Sequence, residues 1–302
     1  MKRTHTDLLF DIFNHMLMVI ILFIMLYPLY FTVIASFSEP VHVALGRVTL
    51  LPRGFTLDAY RNVFKNDQVW TGYLNSLIYV SVGTLFNLTL TLPAAYVLSK
   101  KKLHGRLFFS WYFLFTMFFG GGLIPFYLLV RDLDLLNKPY TLIVLGGFSV
   151  YNMIVTRIYY QTTIPEELFE SARMDGCSDF GQFTRIALPL STPIIAVMAL
   201  FFGVGRWNDF FSALIFISNS KLYPLQMVLR NILIQGRTAL ASLDMSPGSV
   251  SDEELLYITR KAYLAEAMKY ALIFIASAPL LAAYPFVQKH FVRGVMIGSL
   301  KG

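Results

Sequence analysis

The sequence predicts an all-α integral membrane protein of about six transmembrane helices, with a cytoplasmic helix-turn-helix loop and both termini cytoplasmic. Three observations lead there. Hydrophobic residues make up 56% of the 302 residues and charged ones only 14%, too little charge to cover a soluble domain of this size. The apolar residues gather in long runs, and a helix crossing the hydrocarbon core needs roughly 20 of them. The Lys and Arg residues flank those runs and form no basic stripe with interleaved aromatics. The net charge of +7 is therefore that of a membrane protein and not of a nucleic-acid binder.

The runs lie at residues 16–37, 72–98, 108–130, 139–160, 193–217 and 268–289. The first follows Met-Lys-Arg but reaches nearly full spanning length and has no small-x-small cleavage site, so it is an uncleaved helix rather than a signal peptide. Pro28, Pro93, Pro125, Pro279 and Pro285 fall within runs, where membrane helices accommodate proline at kinks packed against neighbours. Between the second and third runs Lys100, Lys101, Lys102 and Arg106 crowd a very short loop, whereas Arg131 and Lys138 in the next loop stand beside Asp132 and Asp134. The first loop is thus placed inside and the second outside, which puts both termini in the cytoplasm. Two longer segments, 38–71 and 218–267, then lie outside. In the second of these, Ser251 with Glu254 forms a capping box. Leu225, Val228, Leu229 and Ile232 mark a short amphipathic helix, either lying on the membrane surface or offering a platform to an external partner.

The segment between the fourth and fifth runs, 163–189, carries the most information. Thr163 with Glu166 three residues on, and Pro165, mark a helix start; Asp175-Gly176 marks its end, since glycine takes the left-handed conformation that closes a helix. Ser178 caps a second helix whose Phe180, Phe183 and Ala187 share a face, and Pro189 stops it. A short rigid element joined to two spans moves as one body when pushed, and Glu170 is an acidic anchor for a basic groove. A loop with no partner fits the same pattern.

This segment resembles the cytoplasmic loop of permeases in bacterial binding-protein-dependent ATP-binding-cassette importers. That pattern is Glu-Ala-Ala, three residues, Gly, nine residues, then Ile-x-Leu-Pro; here it reads Glu170, Ser171, Ala172, Gly176, Ile186, Leu188 and Pro189, with serine for the first alanine. Trp207-Asn208-Asp209 and the tail Phe291–Gly302 are similar to the carbohydrate-uptake branch, and Phe119–Pro125 and Tyr223–Arg230 to permeases of oligosaccharide and polysaccharide importers. The resemblance implies a single permease domain over 1–302 in the bacterial cytoplasmic (inner) membrane. It also implies a second permease, usually a different chain, two cytoplasmic ATPases, an external solute-binding protein and a saccharide substrate. The loop, Asp175 included, would seat in the ATPase with Glu170 facing a basic residue there, and the resemblance also suggests the tail as a further ATPase contact.

Ionisable residues inside a span cost roughly 2.5–3.5 kcal/mol each. Arg206 and Asp209 stand three residues apart in the fifth run with Trp207 and Asn208 between them. They form either an ion pair that fixes packing or a polar lining in which Trp207 stacks on a sugar ring and Asn208 bonds hydroxyls. Asn87 and Asn152 are weaker pathway candidates, more often interhelical hydrogen-bonding residues. The one cysteine, Cys177, excludes an internal disulfide framework, and the five scattered histidines give no metal-ligand spacing. No phosphate loop and no hydrolase or metalloprotease motif occurs; Gly120-Gly121-Gly122 precedes apolar residues and suits close packing or an unwound turn. The chain is therefore expected to be no enzyme and to bind no cofactor, with ATP and Mg²⁺ used by partner subunits. An ion-coupled secondary transporter using Arg206 and Asp209 is the competing reading, and an intramembrane enzyme a third.

Overall fold

The structure is a computed structural model that describes the backbone of residues 5–244 and 252–299 and the side chains of 9–235, 238 and 256–282. The described residues are helical apart from turns and one isolated bridge, Ser38 to Phe55. Two compact units divide the chain: Met1–Val69 with Leu229–Ala278, and Trp70–Val228 with Pro279–Gly302.

The first unit opens with α1 (His5–Ser36). Its apolar residues run all round the helix, and nearly all of them from Leu9 to Tyr30 are exposed within this chain. That is the surface of a helix solvated by lipid or by another subunit. At its end Ile34, Ala35, Val43 and Val48 form a small core with Phe31 and Tyr270. Two short helices, α2 (Pro40–Ala44) and α3 (Asp58–Phe64), follow. They are tied back to α1 by the stack of Phe37 on Phe55 (5.8 Å) and a hydrogen bond of 2.8 Å between the Ser36 and Tyr60 hydroxyls. Burial pushes the Tyr60 phenol up.

The second unit is entered within α4 (Asp67–Ser99). It continues through α5 (Arg106–Phe118), α6 (Leu123–Asp132), α7 (Thr141–Val144) and α8 (Val150–Thr163). The loop region holds α9 (Glu166–Met174), α10 (Asp179–Gln182), a π-helical turn at Phe183–Ala187 and α11 (Leu188–Leu190). After these come α12 (Thr192–Asn208) and α13 (Phe211–Phe216); α14 (Leu225–Asp244) passes out of this unit after Val228, and α15 (Asp252–Ser299) belongs to the first unit as far as Ala278. Residue 251 lies outside the described residues, and with it the Ser251 half of the expected capping box. The side chains of the tail from 283 onward lie outside them too.

Three of the apolar runs are continuous helices long enough to span: Leu9–Ser36, Asp67–Ser99 and Leu256–Ala282. The other three are interrupted, which run length alone does not reveal. The run 108–130 divides into α5 and α6, bent by 111°. Gly122 at the turn has φ +85, while a side chain at Gly120 would meet nothing within 4 Å. The triple glycine therefore serves the turn and not close packing. The run 139–160 divides into α7 and α8 at Gly146 (φ +69) and Gly147, with Ser149 capping α8 by accepting from the Asn152 N–H. A Cβ at Gly147 would lie 2.6 Å from the Phe86 ring, so α4 approaches that break too closely for any side chain. The run 193–217 breaks at Asp209 between α12 and α13.

The amphipathic helix expected near 225–232 opens α14, and its first apolar positions pack inside the protein. Within the second unit Leu225, Met227 and Val228 are buried, and a Cβ on Gly72 would lie 2.9 Å from Val228. The preceding turn is held by α4. Asn75 Nδ2 donates to the Lys221 (2.8 Å) and Tyr223 (3.0 Å) carbonyls, the Tyr79 hydroxyl to the Leu222 carbonyl, and Ser76 Oγ accepts from the Leu225 N–H.

Candidate functional site

Two places in the second unit gather the polar residues that the sequence singled out. The first is the helical loop. Helix α9 presents Glu167, Glu170, Ser171 and Met174 outward at i, i+3, i+4 and i+7, with Met174 88% exposed. Its opposite face buries Phe169, whose ring meets Tyr96 of α4 edge-on at 5.9 Å. Lys100, just past the end of α4, lays its ammonium 3.5 Å from the Phe169 ring centre and 4.5 Å from that of Tyr96. Burial pushes this ammonium's pKa down, opposed by Asp179. Next to it Lys101 donates to Glu166 at 2.8 Å; that hydrogen bond raises the Lys101 pKa and lowers that of Glu166. Lys100, Lys101, Arg106, Glu166, Glu170 and Asp179 line a cavity of 1050 Å³.

The helix is closed as expected: Gly176 takes φ +76, and the Cys177 N–H returns to the Ala172 carbonyl at 2.9 Å. Asp175 and Gly176 are exposed at this corner. Ser178 caps α10 by accepting from the Gly181 N–H at 3.2 Å. Two details differ from the sequence expectation. Thr163 is the last residue of α8 and not a cap for α9, which begins after Pro165 without a side-chain cap because proline at the cap position carries no acceptor, and Glu166 is engaged by Lys101. Phe180 does not share the face of Phe183 and Ala187: it is 77% exposed, whereas Phe183 and Ala187 join the core with Met153 and Tyr160. Phe180 belongs to the short α10 that Ser178 caps, whereas Phe183 opens the π-turn Phe183–Ala187 that packs into this core. Ile186 and Leu188 are half-buried and Pro189 is exposed. The helical stretch ending at Leu190 meets α12 at 81°.

The second place is the break between α12 and α13. The Arg206 guanidinium does not pair with Asp209. Nε donates to Asn87 Oδ1 at 2.7 Å, and the terminal nitrogens donate to the Leu142 and Ile143 carbonyls of α7. These belong to the last four carbonyls of a helix, which have no intrahelical partner. Asn87, fully buried, completes the link by donating to the Gly146 carbonyl at 2.7 Å. Asp209 Oδ1 instead accepts the Ser212 N–H at the start of α13. Trp207 is 3% exposed and meets the Tyr73 ring edge-on at 5.9 Å, while Asn208 is exposed. Asn152 is buried near the start of α8, where its carbonyl accepts from Thr156. Gly83 is the residue that sequence reasoning missed: a Cβ there would lie 2.5 Å from Arg206 Nε, so glycine makes the room for the guanidinium.

Residues 69–297 match the family described as binding-protein-dependent transport system inner membrane component. Protein LplC of Bacillus subtilis (strain 168) is 39% identical over 302 residues, covering 100% of this chain and 98% of its own length. The polygalacturonan/rhamnogalacturonan transport system permease protein YtcP of the same organism is 35% identical over 295 residues, covering 97% and 99%. Among solved structures, a chain of a bacterial ABC transporter involved in the import of the acidic polysaccharide alginate is 31% identical. It superposes with a TM-score of 0.83 and covers 96% of this chain and 99% of that one.

Proposed function

The chain belongs to the inner membrane components of binding-protein-dependent transport systems, and from that premise we propose the following reading of its parts. It is a transmembrane permease subunit of an ATP-driven importer of oligosaccharides or polysaccharide fragments, and not itself a catalyst. The ion-coupled secondary transporter has no support, since the matched family is binding-protein-dependent, the solved relative belongs to an ABC transporter, and the hydrogen bonds of Arg206 and Asp209 go elsewhere.

One observation carries the mechanism. A short helix, α9, is bound to the end of α4 through Phe169 and Lys100 on one side and presents an acidic and apolar stripe on the other. Glu170, Ser171 and Met174 fit a groove that is basic at one edge and apolar at its floor. An ATPase seated there would push α9, and α9 would move α4 with it, because packed interiors transmit displacement. Ala172, Asp175, Gly176, Ile186, Leu188 and Pro189 keep the two short helices at a fixed angle. ATP and Mg²⁺ are held by two ATPase subunits and not by this chain. A second permease completes the pathway, an external solute-binding protein delivers the saccharide, and the whole chain acts as one permease domain. About six membrane crossings, three of them broken, with both termini cytoplasmic, put the Lys100–Arg106 loop and α9 on the ATPase side. Of the pathway candidates, exposed Asn208 is placed to bond sugar hydroxyls, while Arg206, Asn87, Trp207, Asp209 and Asn152 shape the walls.

The test is purification of the tagged complex from membranes in mild detergent, wild type against Glu170→Lys. The wild type brings down an ATPase, and the variant inserts normally but loses it. An undiminished ATPase yield in the variant overturns the seating of α9.

A further inference from the structure

The segment that follows α1 turns back along the helix it has just left. Its neck is closed by the bridge between Ser38 and Phe55, where the Glu39 N–H donates to the Arg53 carbonyl and the Thr56 N–H to the Phe37 carbonyl, both at 3.0 Å. Val48 is buried in the small core at the end of α1. Beyond Val48 the tip of the segment is tied to the side of α1. The Tyr27 hydroxyl donates to the Thr49 carbonyl at 3.3 Å, and the Tyr30 hydroxyl to the Leu50 carbonyl. Both tyrosines stand within the apolar span Leu9–Ser36, about two turns before its end, so the tip reaches back roughly 10 Å along it.

What this tip turns outward is apolar and cationic. Leu50, Leu51 and Phe55 are 65%, 72% and 72% exposed. Arg47 and Arg53, also exposed, stand among them, and no acidic residue occurs in 45–57. A loop in water leaves its carbonyls to water, whereas backbone carbonyls close to hydrocarbon need partners within the protein, and two tyrosine hydroxyls supply them here. Tyrosine is itself a residue of the membrane–water boundary, with its ring against acyl chains and its hydroxyl in the polar zone. Leucines set between arginines combine apolar area for the acyl region with cations for lipid phosphates. We propose that residues 49–55 are a membrane anchor. Leu50, Leu51 and Phe55 enter the boundary between headgroups and acyl chains beside α1, with Arg47 and Arg53 at the level of the phosphates. The leaflet, external, rests on the orientation given above; the anchor does not.

The experiment attaches a bimane fluorophore to Leu51→Cys, and in parallel to Leu50→Cys, in a Cys177→Ser background. The purified complex is held in nanodiscs of phosphatidylethanolamine and phosphatidylglycerol. One quencher is a phosphatidylcholine spin-labelled near the headgroup end of its acyl chain; the other is aqueous iodide. Arg61→Cys on α3, whose side chain is 72% exposed, is the reference. Lipid quenching is expected to be about threefold stronger at position 51 than at position 61, and iodide quenching weaker by a similar factor. Tyr27→Phe together with Tyr30→Phe releases the tip, so iodide gains about twofold access at position 51. Iodide quenching at positions 50 and 51 equal to that at 61 puts the tip in water and overturns the proposal. Shielding from both quenchers overturns it as well, because a second permease or a solute-binding protein then covers the tip. Unchanged access in the double tyrosine variant overturns the tether. Neither ATPase co-purification nor solute movement enters the readout, so the anchor and the importer reading fail separately.

Discussion

At the scale of single residues, the polar break in the membrane region is a question of which groups satisfy Arg206. Its cost of insertion is offset by three hydrogen bonds, each charge-assisted and worth about 1.5–3 kcal/mol. Gly83→Ala drives a methyl into the guanidinium and is expected to destabilise the protein by about 1–3 kcal/mol, read as a lower melting temperature of the purified complex. Trp207→Ala removes a buried ring and should cost about 3–5 kcal/mol, so its transport defect comes with poor assembly. Asn208→Ala should impair transport while melting like the wild type. If the two swap behaviour, the assignment of wall and lining is reversed. That Arg206 needed partners was legible in the sequence; which partners was not. Asp209 is a letter three positions away, whereas the unpaired carbonyls of a broken helix belong to no residue type.

Helices and loops show a different division. The loop 163–189 was legible in its glycine corner and its Ser178 cap, because those depend on local backbone chemistry. Its attachment was not, since Lys100 and Phe169 meet only through folding. Lys100→Met keeps the bulk against both rings and removes the charge. Folding is expected to be near neutral, because a cation–π gain of about 0.5–2 kcal/mol is lost while a buried ammonium is no longer desolvated. ATP hydrolysis in proteoliposomes should then rise relative to solute moved, as α9 loses its hold on α4; an unchanged ratio would count against that link. The neighbouring Lys101–Glu166 pair is exposed. The Glu166 pKa is lowered by it, so its small contribution is present above the ordinary glutamate range and fades as pH falls through the lowered value. Glu166→Gln is expected to leave the melting temperature at neutral pH almost unchanged.

For the whole molecule, composition told correctly that the chain is helical and membrane-embedded, and run length told where the apolar segments lie. Interruption was hidden because a run of hydrophobic residues reads alike whether straight or broken, and only Gly122, Gly146 and Asp209 mark the turns. Orientation has a native probe in Cys177, the one cysteine of the chain, which is partly exposed beside the glycine corner. A membrane-impermeant maleimide should label it in inside-out vesicles and not in intact cells; the opposite pattern would invert the topology. The π-turn at Phe183–Ala187 bears on how such a chain tolerates insertion and loss of residues. It contains one residue more than an α-turn would use, so deleting a single residue there need not break the helix. The deletion would let it wind regularly, and because five residues of a π-turn sweep nearly the same angle as four of an α-helix, the stretch on its N-terminal side would keep its bearing. Phe180 and the acidic stripe of α9 would stay where they are. A complex is thus expected to assemble around such a deletion, whereas one residue lost from the regular winding of α9 would re-aim the stripe, so the wide turn is the place where this loop can absorb a change in length.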